Sequence, residues 1–309
     1  MSAEKNNYAN LIIGGVGKAG TTSLFEYLAV HPDVCGSTVK ETKFFMPLKF
    51  GQPLPPMSEY ANFWKHHHHE KYLLDASPSY LFGGEAVAQG IKEKLGAVKI
   101  ILILREPVSR VFSWYRYVQV KRLHIPQNMS FEEYLKISFA EIDLLEKEKR
   151  ETQYSRGVRL GLYDTVLPAW FKVFEGQDNI RIFFYDDLKK DTKQFVKQVC
   201  DWIEIDASLI DEKNFGKVEN KTLAFKNNAL HKLSVKVSRM IPSFIKGNNG
   251  IYKKLKRAYY KASQTERHDT LNPETKKMLQ DFYRPHNIAL TKFLRSKNYD
   301  NLPAWLSEE

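Results

Sequence analysis

Only two cysteines, Cys35 and Cys200, occur in the 309 residues. That is too few for a disulfide framework or a cysteine-rich zinc site. Long apolar runs are missing as well. No stretch approaches the roughly 18 apolar residues of a membrane span, and MSAEKNNYAN, ahead of the first apolar segment, lacks an anchor's character. On those grounds the expected location is the cytoplasm. Internal repeats and low-complexity segments are also lacking. Acidic residues are scarce in one place: Lys213 to Arg267 holds fourteen Lys or Arg against two Glu, more than the whole chain's net charge of +11. The basic character is therefore local and not a general solubility device. What is abundant is core-forming material, 43% hydrophobic and 13% aromatic residues, enough for one large α/β domain. We expect a single domain over residues 1–309, with a basic helical insertion at about 213–267.

Apolar runs and turn residues place the elements. Leu11–Ile13, Val34-Cys35, Tyr72–Leu74, Lys99–Leu104 and Ile180–Tyr185 read as strands, and KIILIL at 99–104 suits the middle of a parallel sheet. Helices are expected from Thr21, near Glu85–Leu95, from Pro107 to about Val120, over Phe131–Arg150, on the Leu167, Trp170, Phe171 and Phe174 face, and over Thr192–Ile203. A last helix starts at Asn272-Pro273, is interrupted by Pro285 and resumes over Ile288–Leu294. Pro47–Met57 reads as a loop. Strands alternating with helices imply a parallel sheet covered on both faces.

The chain is organised around LIIGGVGKAGTTSLFEYL, Leu11–Leu28: strand, glycine-rich turn, helix. Glycines let the backbone approach an anion, and the helix start supplies N–H groups and a favourable dipole. The NTPase version of this cradle reads G-x-x-x-x-G-K-[ST]. Gly15 and Gly20 have that spacing, but Thr21 stands where the lysine belongs, and Lys18 lies three residues back. A second candidate stretch is Arg105-Glu106-Pro107-Val108-Ser109-Arg110-Val111-Phe112-Ser113-Trp114-Tyr115, just past the carboxyl end of the strongest strand, where open α/β sheets bind ligands. A guanidinium fork suits a phosphate. A third is Lys40-Glu41-Thr42-Lys43-Phe44-Phe45. Taken singly, a surface ion pair is the commoner explanation for Arg105 and for Glu41. His66–His69 invites a metal hypothesis, but adjacent histidines rarely converge on one ion.

Together these stretches resemble the sulfotransferases that use 3′-phosphoadenosine 5′-phosphosulfate (PAPS), in particular the heparan sulfate sulfotransferases and their bacterial relatives. The resemblance implies an α/β, three-layer P-loop-type fold with a central parallel sheet flanked by helices. It implies that Gly17, Lys18, Ala19, Gly20, Thr21 and Thr22 hold the 5′-phosphosulfate, that Arg105 and Ser113 hold the 3′-phosphate, and that Lys18 and Glu41 are catalytic. His124 is the runner-up base. Transfer to a hydroxyl or amine needs a proton acceptor, and desolvation would raise a carboxylate's pKa toward that task. The product would be adenosine 3′,5′-bisphosphate, with no metal required. The likeness extends to Arg156-Gly157, Asp186-Asp187-Leu188 and Phe282–Asn287, and is weakest over 213–267, where Arg267 is the candidate for the nucleotide loop. Asp75-Ala76-Ser77-Pro78-Ser79-Tyr80 departs from the related E-K-[ST]-P-S-Y: Ala76 replaces a lysine that helps catalysis in some glycan enzymes, which argues against a heparan-like acceptor. The expected acceptor is a glycan or small molecule, anionic or membrane-associated, and not a nucleic acid. Two other classes compete. A P-loop kinase or NTPase predicts magnesium dependence and a lysine at position 21. A non-catalytic anion-binding module draws on the basic segment but gives no reason for Arg105, Ser113 and Glu41 to occur together.

Overall fold

The computed structural model describes residues 7–121, 124–175, 178–215, 223–225, 264–266 and 270–307. The chain divides into two compact units, one formed by 1–110, 160–220 and 280–309, the other by 111–159 and 221–279.

The first unit holds a five-stranded parallel sheet in the order β2-β3-β1-β4-β5. Its strands are β1 (Leu11–Gly15), β2 (Val34–Gly36), β3 (Tyr72–Ala76), β4 (Lys99–Leu104) and β5 (Ile180–Phe184). β1 is central, pairing Ile12 with Asp75 on one side and with Ile100 on the other. Leu11, Ile12, Ile13, Ile100, Ile101 and Leu102 are fully buried, as strands covered on both faces must be. The elements read from apolar runs are present to within a residue or two: helix α1 is Thr21–Leu28, and the later helices Gly84–Leu95 and Thr192–Ile203 follow their strands. Because the strands are parallel, the segments after β1, β2, β3, β4 and β5 all leave from the same edge of the sheet.

The second unit contains the helix Phe131–Ala140, opened by a capping box in which Ser130 and Glu133 exchange hydrogen bonds. Gln119, 1% exposed, donates to the carbonyls of Gln127 and Met129 at 3.0 and 2.8 Å, tying the turn before that helix.

Several expectations are corrected. Phe131–Arg150 is two helices, Phe131–Ala140 and Leu144–Glu148. Within Pro47–Met57, a 3-10 turn spans Met46–Phe50 before the loop begins. The basic segment 213–267 lies mostly outside the described residues, Arg267 included. Its described parts include an antiparallel pair, β6 (Leu223–Phe225) with β7 (Gln264–Glu266). Pro285 does not break the last helix, which runs unbroken over Pro273–Arg295. Tertiary packing overrides the local penalty. Tyr283, Leu290 and Leu294 are buried to 0–1% exposure, and His286 Nδ1 lies 2.9 Å from Asp164 Oδ2, pinning the turn beside the proline.

A helical Pro285 lacks the N–H that would reach the carbonyl of Asp281. Replacing Pro285 with Ala should therefore stabilise the protein by about 1–2 kcal/mol, the interior penalty less the extra freedom of the unfolded chain. Thermal or denaturant unfolding measures this, and no gain would mean that the helix is interrupted there after all.

Candidate active site

The loop after β1 turns on residues that the sequence makes pliable. Gly20, at the start of α1, has φ +81°, and Lys18 has φ +76°. A Cβ on Gly20 would fall 2.3 Å from Leu188 Cδ2, so only glycine fits that junction. A Cβ on Gly17 would meet nothing within 4 Å, so the backbone there is open to a bound group. The first turn of α1 carries no side-chain cap, which leaves its amides facing the loop as an anion-binding helix start does. Ala19 and Thr21 are buried, while Gly17, Lys18, Gly20 and Thr22 are partly exposed. The Val16 amide bonds the Ile103 carbonyl at 3.0 Å, fixing the loop to β4.

Arg105 comes to this loop from the end of β4. Its Nη1 donates to the Lys18 carbonyl at 2.7 Å, and its Nε donates to Ser109 Oγ at 2.9 Å. The guanidinium lies 4.5 Å from the centre of the Tyr185 ring. Tyr163 donates to the Arg105 carbonyl at 2.8 Å. Burial lowers the guanidinium's pKa, and the neighbouring Tyr185, Tyr163 and Glu106 oppose that. Glu106 caps the helix Pro107–Arg116, accepting from the amides of Val108 and Ser109 at 3.2 and 2.6 Å. Ser113 lies further along that helix and is partly exposed. It belongs to the second unit, as does His124, an exposed residue whose amide bonds the Val118 carbonyl at 2.9 Å.

Glu41 follows β2 and reaches the end of β3, where its amide donates to the Ala76 carbonyl at 3.0 Å. Its carboxylate lies 3.2 Å from Lys40 Nζ and 3.4 Å from Lys43 Nζ, with about a third of the side chain exposed. Desolvation pushes its pKa up, but the two lysine charges and their hydrogen bonds outweigh it, so the group sits below its ordinary value. This reverses the expectation that desolvation would raise it. A carboxyl that is raised lies close by, Asp75, fully buried at the end of β3. Burial raises it, and hydroxyl bonds from Thr42, Ser77, Tyr80 and Tyr60 oppose the shift only in part. Phe44 and Phe45 are core, as their apolar pair suggests.

Lys18, Arg105 and Glu41 thus share the carboxyl edge of one sheet. Sequence reasoning did not single out Ser109, Tyr185, Thr42 or Tyr60. Only Ser109 carried a local signal, its i+4 spacing from Arg105. At His66–His69, His66 Nε2 lies 3.4 Å from Cys35 Sγ and 3.1 Å from the Gly36 carbonyl, and Glu70 accepts from the amides of His68 and His69. Burial, with Glu70 adding to it, pushes the Cys35 thiol up to about 11. Among the described residues, no three His, Cys, Asp or Glu converge to hold a metal, and no helix is long and apolar enough to cross a membrane.

Known proteins bear on this edge. The chain is 23% identical over 309 residues to the bifunctional heparan sulfate N-deacetylase/N-sulfotransferase 1 of Xenopus tropicalis, covering 98% of this chain and 31% of that protein. It is 25% identical over 306 residues to the human enzyme 2 of the same name, covering 96% and 31%. The chain therefore spans about a third of the length of these curated relatives. In fold it is similar to a sulfotransferase from Alicyclobacillus acidocaldarius, at a TM-score of 0.66 and 20% identity, covering 96% of this chain and 98% of that one. The family model described as a sulfotransferase domain matches residues 9–293. That span takes in the loop after β1, the Glu41 stretch and Arg105 alike, and by it the chain belongs to the sulfotransferase domain family.

Proposed function

We propose that the chain transfers a sulfuryl group from PAPS to a hydroxyl or amine of an acceptor, releasing adenosine 3′,5′-bisphosphate. One observation carries the reading: the 2.7 Å bond between Arg105 and the Lys18 carbonyl joins two anion-binding stretches 87 residues apart in sequence. A donor with phosphate at both ends of its ribose needs such a pair. The open backbone at Gly17, the uncapped start of α1 and the Lys18 ammonium suit a phosphosulfate. The remaining guanidinium hydrogens of Arg105 suit a further phosphate. Ser113 and Arg267 enter as further donor ligands on the family resemblance alone.

In the reaction the acceptor's lone pair attacks sulfur, and the bond from sulfur to the bridging oxygen of the 5′-phosphate breaks. Negative charge grows on that oxygen, where Lys18, Thr21, Thr22 and the loop amides would stabilise it. The acceptor's proton passes to the Glu41 carboxylate, which its two lysine neighbours keep ionised at neutral pH. A sulfuryl group carries less negative charge than a terminal phosphoryl, so a lysine and amides suffice where NTPases add magnesium. Lys40 and Lys43, on either side of the candidate base, favour an anionic acceptor. The basic composition of 213–267 supports the same acceptor class. Transfer of label from PAPS to N-deacetylated heparosan, an acidic glycan, measured beside the neutral 2-naphthol, tests the function and the acceptor class together.

Adenosine 3′,5′-bisphosphate should raise the melting temperature in the presence of a chelator, and more than AMP does, by linkage. Equal shifts would remove the 3′-phosphate role of Arg105, and a magnesium requirement would favour the NTPase reading. Lys18→Ala should lower kcat by about 100-fold or more while changing bisphosphate affinity far less, since the lysine faces charge that grows in the transition state. Weak product binding with normal turnover at saturation would contradict that. Glu41→Gln should keep bisphosphate affinity and lose about 100-fold or more in kcat, in line with loss of a general base. A Glu41→Gln enzyme of normal activity would move the base to His124.

A further inference from the structure

Glu41 and Lys43 both have left-handed backbones, φ +66° and +56°. For residues with a Cβ this conformation is sterically disfavoured, and it persists only where surrounding structure imposes it. Here the imposing structure is the end of β3. The Glu41 amide bonds the Ala76 carbonyl at 3.0 Å, the Thr42 hydroxyl donates to Asp75 Oδ2 at 2.7 Å, and the Lys43 amide donates to Ser77 Oγ at 3.0 Å. Three successive residues are thus hung on three successive residues.

Asp75 is the middle of this attachment. It is fully buried, in register with Ile12 of the central strand, and takes part in no ion pair among the described residues. Its Oδ2 accepts from Thr42, Tyr80 and Tyr60 at 2.7, 2.9 and 3.1 Å, and its Oδ1 accepts from Ser77 at 2.8 Å. Four neutral donors on one buried carboxylate are an expensive arrangement to desolvate, and no step of the proposed transfer uses it. Tyr60 and Tyr80 also close on the far end of the segment, with ring centres 5.4 and 5.9 Å from that of Phe45. Glu41 is therefore held between a hydrogen-bonded anchor and an aromatic one.

We infer that Asp75, acting through Thr42, is the positioning residue for Glu41: it fixes the strained segment 41–43 so that the Glu41 carboxylate meets the acceptor. The inference rests on Glu41 being the base. Displacement of a catalytic group by an ångström costs about 100-fold in rate, so the anchor should matter for turnover and not for donor binding.

Thr42→Val removes one hydroxyl from an isosteric side chain and leaves Asp75 three donors. With whichever of N-deacetylated heparosan and 2-naphthol takes up label faster as acceptor, we expect kcat to fall at least tenfold, bisphosphate affinity to stay within twofold, and Thr42→Ser to restore turnover. Asp75→Asn, which turns an amide N–H₂ on one of its donors, should lose turnover by the same order. In Glu41→Gln, Thr42→Val should cost no more than a further twofold, because the group it positions is gone. Hydrogen exchange over residues 40–45 needs no acceptor and should speed up at least tenfold in Thr42→Val. Wild-type turnover in a folded Thr42→Val or Asp75→Asn, unchanged exchange over 40–45, equal losses in Thr42→Val and Thr42→Ser, or a parallel fall in bisphosphate affinity would each overturn the inference. If Glu41→Gln is inactive when one of these occurs, only the positioning role fails. If Glu41→Gln turns over normally, the base assignment fails first.

Discussion

A partly buried guanidinium must find acceptors for the solvation it loses, and the way Arg105 meets that demand shapes the site. It reaches the carbonyl of Lys18, the hydroxyl of Ser109 and the face of Tyr185, one from each of three chain segments. Those segments follow β1, β4 and β5, so one cation draws the ends of three strands together. Tyr163, buried and held to a pKa pushed up to about 12, fixes the backbone of Arg105 from a fourth segment. Its donation to a carbonyl keeps its proton in use at any physiological pH.

Two carboxyls on the same edge show opposite answers to burial. Glu41 keeps contact with solvent and has two lysines, so its charge is favoured. Asp75 is closed off from solvent and, among the described residues, is met by hydroxyls and no cation, so its charge is disfavoured. The two shifts act on stability in opposite pH ranges. Lowered, Glu41 contributes stability above its unfolded pKa that is lost as pH falls through its folded value. Raised, Asp75 contributes stability fully present below its unfolded pKa and lost as pH rises through its folded value. The network at Asp75 is therefore maintained against a penalty at neutral pH, which is what a site held for geometry and not for stability looks like.

Strands were legible because apolar runs bounded by turn residues are local signals, and KIILIL and LIIGG needed nothing else. The cradle at Gly17–Thr22 was legible for the same reason: one turn, one helix start, one spacing. What was not legible came from distance. Nothing near Thr42 announces that its hydroxyl meets Asp75, 33 residues on, beside Tyr60 and Tyr80. The direction of the Glu41 shift depends on where the Lys40 and Lys43 ammonium groups fold back, which sequence adjacency does not decide. Local propensity makes Pro285 an interruption, and the packing of Tyr283, Leu290 and Leu294, distant in sequence from what they touch, overrides it.

The strand order has a consequence in time. β1 is the first strand made and lies in the middle of the sheet, so both of its neighbours are synthesised after it. The loop that follows it waits 87 residues for the arginine that bonds its Lys18 carbonyl. At ordinary synthesis rates that is a delay of roughly 4–17 s, during which a glycine-rich loop and an apolar strand have no native partner on that side. Parallel pairing of distant segments is slow in any case. The anion cradle is thus the earliest part of the site to be written and becomes a site only once β4 and Arg105 have followed, and a nascent chain that pauses before β4 exposes an edge of β1 to whatever strand arrives first.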